Sequence, residues 1–508
     1  MRAIFDPKTK QMIRSRRVTG RRRSNRSSTY DIVNNDQFLQ NWLTSQSGPN
    51  AKIQGHLSRL IEMARSLEEN PYGANFFNQW TANVIGVRGF TLESCPLDRS
   101  GSVDDADKKV IEDAWTEWKR AANCTPGGNL PWAQVKRLNE KSFVRDGGVL
   151  LRLLPGYGGN PFGFAVQAVE VDQMDFDLNV SQTRDNRQDV RIERGNRIVM
   201  GKEVTPAGRC VAFHLFGEHP GEPYVLSGRK RTRVPADNMI HRFHQTRHGQ
   251  YQGVPVPLAA MTSLRHHERY SEAEVIAARM HACSVMALED INGMDGVPSA
   301  DFEETDHFDF ELEPGAMADV PAGKKLSLMK PEHPNGNFAA FQKAILRGAA
   351  AGLGLNYNLL ASDLEGVNYS SLREGKLSQN AIFDVCQSIN IEMEEEPVFR
   401  AWLQSVLVQD RIGLPYAQMA KYQRVKWHTE KRPWVDPQKD ASAAKMLLEL
   451  GLTSPRRIAA TLHSDSLEAV AEETAADLAM MAQKGLGAPE WAQPIVTDEV
   501  AEIGSNEE

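Results

Sequence analysis

No run of about 18 apolar residues occurs anywhere in this 508-residue chain, so no transmembrane helix is expected. Cysteine is scarce: Cys95, Cys124, Cys210, Cys283 and Cys386 lie far apart, are odd in number and form no CxxC pair. Reduced thiols in a cytoplasmic setting are the expectation. The start, MRAIFDPKTKQMIRSRR, is basic but lacks the apolar core of a signal peptide, so secretion is not expected. Gly201, Gly323 and Gly375 each precede a lysine, but neither Ser nor Thr follows. A GxxxxGK[ST] loop to cradle a triphosphate is therefore missing, which argues against a motor ATPase. GxSxG and HExxH are missing too. There is no fixed-period repeat and no heptad run. The net charge of −7 argues against a broad basic grip on DNA, although not against a protein that DNA slides past.

What is present is an ordinary globular composition, 41% hydrophobic and 25% charged, at a length that predicts roughly two to four structural regions. Charge is uneven. Residues 8–26 hold nine Lys and Arg residues, from Lys8 to Arg26, and no acid. With few apolar residues among them, this arm is expected to be disordered when free; it either touches nucleic acid or an acidic partner, or is a solvated tail. The end, VTDEVAEIGSNEE, is an acidic tail.

Helical spacing dominates residues 37–90, with a stop at Asn70-Pro71 and Phe76, Trp80 and Val84 on one face of the following helix. A further helix over ADKKVIEDAWTEWKRAAN places Val110, Trp115 and Trp118 in the core. From about 141 to 245 the runs VLLRLL, FAVQAVEV, RCVAFHLF and EPYVLS read as strands. Between them, PGYGGNPFG carries Gly156 and Gly158 but Pro161 where a dinucleotide fingerprint needs glycine, so it reads as a turn. A long helix is predicted over roughly 258–288, then an irregular stretch at 289–337. Another helix follows at about 337–352, with Phe338, Phe341, Ile345 and Ala349 at helical spacing and a stop at Gly352 and Gly354. Ser371 and Glu374 form a capping-box pattern for a helix over about 371–393, and a new helix restarts after Pro397. The last third reads as two or three helices with a stop at Gly451.

Candidate chemistry is thin. His241, His244 and His248 lie close in sequence, but the extended GQYQGVPVP beside them speaks against a helical metal face, and no metal site is expected. His266 and His267 sit in a polar helix block. The acids between Asp301 and Glu313 alternate with Phe302, Phe308 and Phe310, as on a solvated strand face, with no cleft for an acid/base pair.

Four segments, in order, resemble the lambda-type portal proteins of tailed bacteriophages. The clearest is residues 341–385. There an Ala/Gly-rich turn (Ala350, Ala351, Gly352, Leu353, Gly354) leads through Tyr357 and Leu360 to Asn368, Tyr369, Ser370, Ser371 and Arg373. A second carries Ile240, His241, Arg247, Gly249, Gln250, Gly253 and Pro255. A third carries Pro433, Trp434, Asp436, Pro437 and Lys439, and a weaker one is NPYGANFFNQWTANVIGVRGF. Two local departures are His463-Ser464-Asp465 in place of a Gly-Asp, and GKEVTPAGR near Gly201.

The resemblance implies an α+β portal fold: an α/β wing, a two-helix stem, a small α/β clip and a helical C-terminal crown, assembled as a ring of about twelve subunits. Its expected divisions are a basic flexible arm at 1–26, wing at 27–257, first stem helix at 258–289 and clip at 290–336. They continue with a second stem helix at 337–355, tunnel loop at 356–371, wing return helices at 372–437, crown helices at 438–487 and a flexible acidic tail at 488–508. The DNA-facing part would be Ser362, Asp363, Leu364, Glu365, Gly366, Val367, Asn368 and Tyr369. Two acids and no base there would let DNA slide. Lys343, Arg347, Arg373 and Lys376 flank it as candidate channel or intersubunit contacts. The Ala/Gly-rich face of the second stem helix would allow close approach of a neighbour, and equally suits packing within the chain.

Implied partners are further copies of the chain, double-stranded viral DNA, the terminase large subunit, head-completion or adaptor proteins, and the major capsid protein or scaffold. The implied place is the capsid portal vertex, after assembly in the host cytoplasm. No catalytic residue, cofactor or metal is expected. The rival readings are a phage-encoded hydrolase or nuclease, and a capsid adaptor that conducts no DNA.

Overall fold

A computed structural model describes residues 3–5, 12–14, 47–485 and 489, apart from 182–191, 193–194, 224–229, 283–284, 291–323, 330–335, 431–436 and 463–466. Two compact units divide the chain, 1–52 and 53–508. The first contains an antiparallel hairpin of β1 (Ala3–Phe5) and β2 (Met12–Arg14), with Ile4 opposite Ile13. This hairpin falls inside the basic arm; the rest of that arm and the acidic end lie outside the described residues.

The second unit begins with helices whose ends follow local chemistry. Helix α1 (Pro49–Ile53) belongs to the first unit except for Ile53; in the second, α2 (Leu57–Ser66) buries Leu57, Ile61 and Ala64 at helical spacing. After a short 3-10 turn at Leu67–Glu69, Asn70 adopts an extended conformation, as a residue before proline prefers. Its side chain accepts from the amides of Tyr72 and Gly73, and Pro71 opens α3 (Pro71–Val84), where a missing N–H costs nothing. Helix α4 (Asp105–Trp118) buries Ile111, Trp115 and Trp118, whereas Val110 is 37% exposed. The two tryptophans fix the inward face, and Ile111, one turn before Trp115, lies on it; Val110 lies about 100° away. Helices α5 (Ala121–Cys124) and α6 (Trp132–Asp146) complete this part.

Strand β3 (Thr91–Ser94) finds its partner only late in the chain. Strands β4 (Gly148–Pro155) and β5 (Phe164–Val169) form a hairpin around the expected PGYGGNPFG turn. A four-stranded antiparallel sheet follows, of β6 (Arg197–Val199), β7 (Lys202–Val204), β8 (Cys210–Phe216) and β9 (Arg231–Pro235). The strand expected at EPYVLS lies largely outside the described residues. Strand β10 (Met239–Phe243) then pairs with β4, giving the order β10-β4-β5.

Helix α7 (Met261–Ala282) ends earlier than the sequence suggests. Residues 285–288, expected to be helical, belong instead to strand β11 (Val285–Asp290), which pairs along its whole length with β12 (Lys324–Met329). A ladder partner about forty residues away overrides local helix propensity here. The irregular residues between them, including the acids from Asp301 to Glu313, lie outside the described residues. Helix α8 (Phe338–Leu353) packs against α7 and buries Leu346, Ala349, Ala350 and Leu353. Phe341 is 49% exposed, with its ring edge-on to Tyr270 at 5.0 Å. Gly354 closes α8 in the left-handed conformation that glycine adopts without strain.

The short helix α9 (Tyr357–Ala361) leads by a loop to α10 (Tyr369–Asn390). The Ser371–Glu374 capping box does not start α10; Asn368 does, its side chain accepting from the Ser371 amide at 2.8 Å. Helix α10 does not stop before Pro397 either. It passes through a π-helical turn, Ile391–Glu395, directly into α11 (Glu396–Val408). Pro397 sits in the first turn of α11, where the widened turn has already displaced the regular hydrogen-bond ladder. After α12 (Met419–Tyr422), strand β13 (Val425–His428) pairs with β3, with Trp427 opposite Leu92. Helices α13 (Pro437–Glu449), α14 (Pro455–Leu462) and α15 (Leu467–Gln483) finish the described chain, with Gly451 in the left-handed conformation after α13.

Tryptophan organises the largest core. Trp115 stacks on Trp118 at 4.7 Å, Trp402 of α11 meets Trp115 edge-on at 5.1 Å, and Trp132 closes on Trp118. A second core joins α3, α8 and α10 through Phe76, Trp80, Leu353 and Phe383. This core fixes both helices that carry the loop at 362–368.

Candidate functional site

The ends of α8 and α10 approach each other through backbone chemistry. Gln379 of α10 accepts from the Asn356 amide at 2.8 Å and donates to the Gly354 carbonyl at 3.0 Å. Asn75 of α3 donates to the carbonyls of Leu359 and Leu360 at 2.9 and 2.8 Å, tying α9 down. The loop that follows turns at Ser362 (φ 52°) and Gly366 (φ 69°). Both lie in the left-handed region; for serine that conformation costs of order 1 kcal/mol and persists because the surroundings fix it.

Those surroundings are charged. Tyr357 donates its hydroxyl to Asp363 at 2.8 Å, and the Glu365 amide donates to the other Asp363 oxygen at 2.9 Å. Lys343, one helix away on α8, reaches Glu365 at 2.7 Å and Asp363 at 3.3 Å. The Glu365 amide and the Tyr357 hydroxyl hold the Asp363 carboxyl below its ordinary range, with Lys343 adding to this. Bonding to Glu365 and Asp363 in turn raises Lys343. The loop is thus exposed yet internally paired. Leu364 (66% exposed) and Tyr369 (47%) stand out from it.

The four flanking cations take different places. Lys343 answers the loop acids. Arg347 lies over the Tyr357 ring at 5.5 Å. Arg373 bonds Asp440 of α13 at 2.7 Å, while Lys439 lies 5.7 Å from the Tyr369 ring centre, so α13 is tied to the first turn of α10. Lys376 lines a cavity of about 590 Å³ together with Leu364, Tyr357 and Phe383. A second hollow of about 620 Å³ lies where Lys343, Arg347, Asp363 and Asn368 meet. The small-residue face of α8 divides. Gly352 packs on Ala259 and Ala260 within the chain, while Ala340, Ala344 and Gly348 face outwards.

The histidines do not converge. His241 is half-buried on β10 with both ring nitrogens shielded, stacked on Phe243 at 4.7 Å, and desolvation followed by the nearby Lys202 pushes its imidazole well below the ordinary range. The His244 ring donates through Nδ1 to the Val254 carbonyl at 3.1 Å, and His248 is exposed. His267 meets Tyr72 edge-on at 5.1 Å, and His266 is exposed. Among the described residues, metal-ligand spacing occurs at Glu170, Asp172 and His219. The Arg65 guanidinium already occupies that place, 2.8 Å from Asp172 and 3.5 Å from Glu170.

One feature escapes sequence reading: a buried ionic cluster where α6, β10 and the π turn meet. Arg242 bonds Glu140 at 2.8 Å and Glu394 at 2.9 Å, and Lys136 bonds Glu394 at 2.9 Å and Glu395 at 3.2 Å. All five side chains are at most 1% exposed. The π turn lets the consecutive Glu394 and Glu395 both point inwards. The acid-rich run IEMEEE gave a faint signal, but its cations come from segments 152 to 259 residues away in sequence: 394 − 242 = 152 and 395 − 136 = 259.

The family model described as phage portal protein, lambda family, matches residues 35–387. The probable portal protein of Halomonas phage phiHAP-1 is 31% identical over 382 residues, covering 74% of this chain and 72% of that protein. The portal protein of Escherichia phage N15 is 21% identical over 492 residues, covering 89% and 90%. Among solved structures, a chain of the neck of a native GTA particle, computed with C12 symmetry, aligns over 80% of this chain and 94% of its own at 14% identity, with a TM-score of 0.41.

Proposed function

The chain belongs to the lambda family of phage portal proteins, a structural and non-enzymatic component of the virion, and from that premise we propose that it forms the ring through which double-stranded DNA enters and leaves the capsid. The carrying observation is the loop at 362–369. It is anchored at both ends, joins α9 to α10, and carries two acids answered by one lysine of its own chain. DNA binding strengthens with each phosphate neutralised by Lys or Arg, so a loop without a base touches passing DNA without holding it. Lys376 and Arg347 would stand behind the loop as channel or intersubunit contacts, while Lys343 and Arg373 hold the loop and α13 in place.

In this reading the wing spans 27–257, α7 and α8 are the stem, 290–336 is the clip, and 438–487 is the crown. The clip would dock the terminase large subunit during filling and head-completion proteins afterwards, and the wing would meet the major capsid protein or scaffold. Assembly would take place in the host cytoplasm. Deleting 362–369 tests the reading. Rings should still form, and the amount of DNA packaged or retained per particle should fall at least tenfold. Loss of the ring itself, or unchanged DNA content, would refute the loop assignment.

A further inference from the structure

The four-stranded sheet is an insertion into the three-stranded one. The chain leaves β5 through a 3-10 turn at Val171–Gln173, builds β6 to β9, and returns through a second such turn at Ala236–Asn238 into β10. The two sheets meet through apolar side chains, with Leu150 and Met239 on one side and Phe213, Leu215 and Val234 on the other. Two bases sit in that seam. Lys202 of β7 is 4% exposed. Its amine lies over the Phe243 ring of β10 at 4.2 Å and 5.7 Å from the ring centre of Phe213, the residue opposite it on β8. His241, stacked on Phe243, meets Phe213 edge-on at 5.9 Å, and neither of its shielded ring nitrogens is hydrogen-bonded.

The charges nearby are turned elsewhere, and among the described residues no carboxylate bonds either base. Glu203 takes Arg233 at 2.7 Å and lies 3.8 Å from His214, on the other face of β7 and β8. Arg242 points from the far face of β10 into the ionic cluster. Asp175 takes Arg231, and His244 bonds the Val254 carbonyl. Arg152 of β4 borders a hollow beside Thr232 and Val234. Cys210 of β8 is the titratable neighbour of the amine, but burial pushes its thiol up, so at neutral pH it supplies no charge.

We propose that this seam is a proton-sensitive latch: neutral Lys202 and His241 hold the inserted sheet against β10, and protonating them releases it as a unit while β10-β4-β5 stays folded. A charge left in an apolar seam without a counter-charge is disfavoured against the same charge in water, and two cations there repel. The aromatic faces offset only part of this. Opening returns both groups to solvent, with the two 3-10 turns as hinges. Burial lowers the Lys202 amine to about 7 against 10.5 when free, so opening increases as pH falls from 10.5 to 7. Desolvation, and then Lys202, holds His241 well below 6.5, so its contribution grows as pH falls below 6.5. One proton taken up on opening gives about tenfold per pH unit within each window.

Hydrogen exchange read by mass spectrometry on the purified full-length chain, corrected for the intrinsic rate of each amide at each pH, tests the latch. Protection of β7 and β8 should fall about tenfold from pH 8.5 to 7 and about tenfold again from pH 6.5 to 5, while protection of β4 and β5 holds. Lys202→Met should remove the upper step and keep the lower one; His241→Phe should do the reverse. Because the ring nitrogens of His241 bond nothing, phenylalanine leaves no donor or acceptor unmet, so this variant reads the lower step even if Lys202→Met fails to fold. Protection of β7 and β8 that does not change with pH, steps that survive both substitutions, or β4 and β5 opening in parallel would overturn the proposal.

Discussion

Replacing Arg242 by Met should cost the folded state about 3–5 kcal/mol at pH 7.5, because it leaves the buried Glu140 without its cation and Glu394 with Lys136 alone. The cluster holds two cations, Lys136 and Arg242, against three carboxylates, Glu140, Glu394 and Glu395. Arg242 is the group that bonds both Glu140 and Glu394, and it also lies 4.1 Å from the Phe143 ring centre. Methionine fills part of its volume but neutralises neither acid. The loss is a large share of the roughly 5–15 kcal/mol that holds a typical domain folded.

Acid separates this mechanism from simple loss of packing. In the wild type, burial pushes the Glu394 carboxyl up, but Lys136 and Arg242 outweigh it and leave it lowered. Its contribution is therefore present above the unfolded value, about 4.5, and is lost as pH falls through the lower folded value. In the variant an orphaned buried carboxyl is raised instead. The folded variant then binds more protons than the unfolded chain, so it gains stability as pH falls towards 5. Urea unfolding followed by tryptophan fluorescence at pH 7.5 and pH 5 should show the gap between the two proteins narrowing on acidification. A gap below about 1 kcal/mol at pH 7.5, or one that widens at pH 5, would refute the argument.

Two further outcomes follow from close contacts. A Cβ at Gly352 would lie 3.4 Å from Ala259 and Ala260, an ordinary contact, so Gly352→Ala should be tolerated. Gly352→Leu should cost about 1–3 kcal/mol by overpacking α8 on the start of α7, measured by urea midpoint, and should impair ring assembly. Lys202 is buried between Phe213 and Phe243, and burial lowers its amine to about 7. Since the unfolded amine titrates near 10.5, the unfolded chain binds more protons between those values and stability rises with pH there. Lys202→Met should flatten that rise, read as urea midpoints between pH 7 and 10; an unchanged slope would refute it.

The sequence by itself determined what neighbouring residues can settle. Asn70-Pro71 sets a helix boundary because proline restricts the residue before it and an asparagine can cap. Gly354 ends α8 because glycine alone enters the left-handed region freely. The turn between β4 and β5, the tryptophan faces of α3 and α4 and the family resemblance along 341–385 were legible for the same local reason, and the family is shown by the match over 35–387. Only the tertiary structure decided matters that depend on distant partners. Ladder pairing with β12 turned 285–288 from the expected helix to strand. The π turn and the ionic cluster exist because cations from α6 and β10 reach acids more than 150 residues away in sequence. Likewise Lys343 answers Asp363 and Glu365 only because α8 and the loop are folded together. Steric and hydrogen-bond preferences act within a few residues and can be read along the chain. Burial and charge pairing act across whatever segments packing brings together, and only the folded structure fixes those.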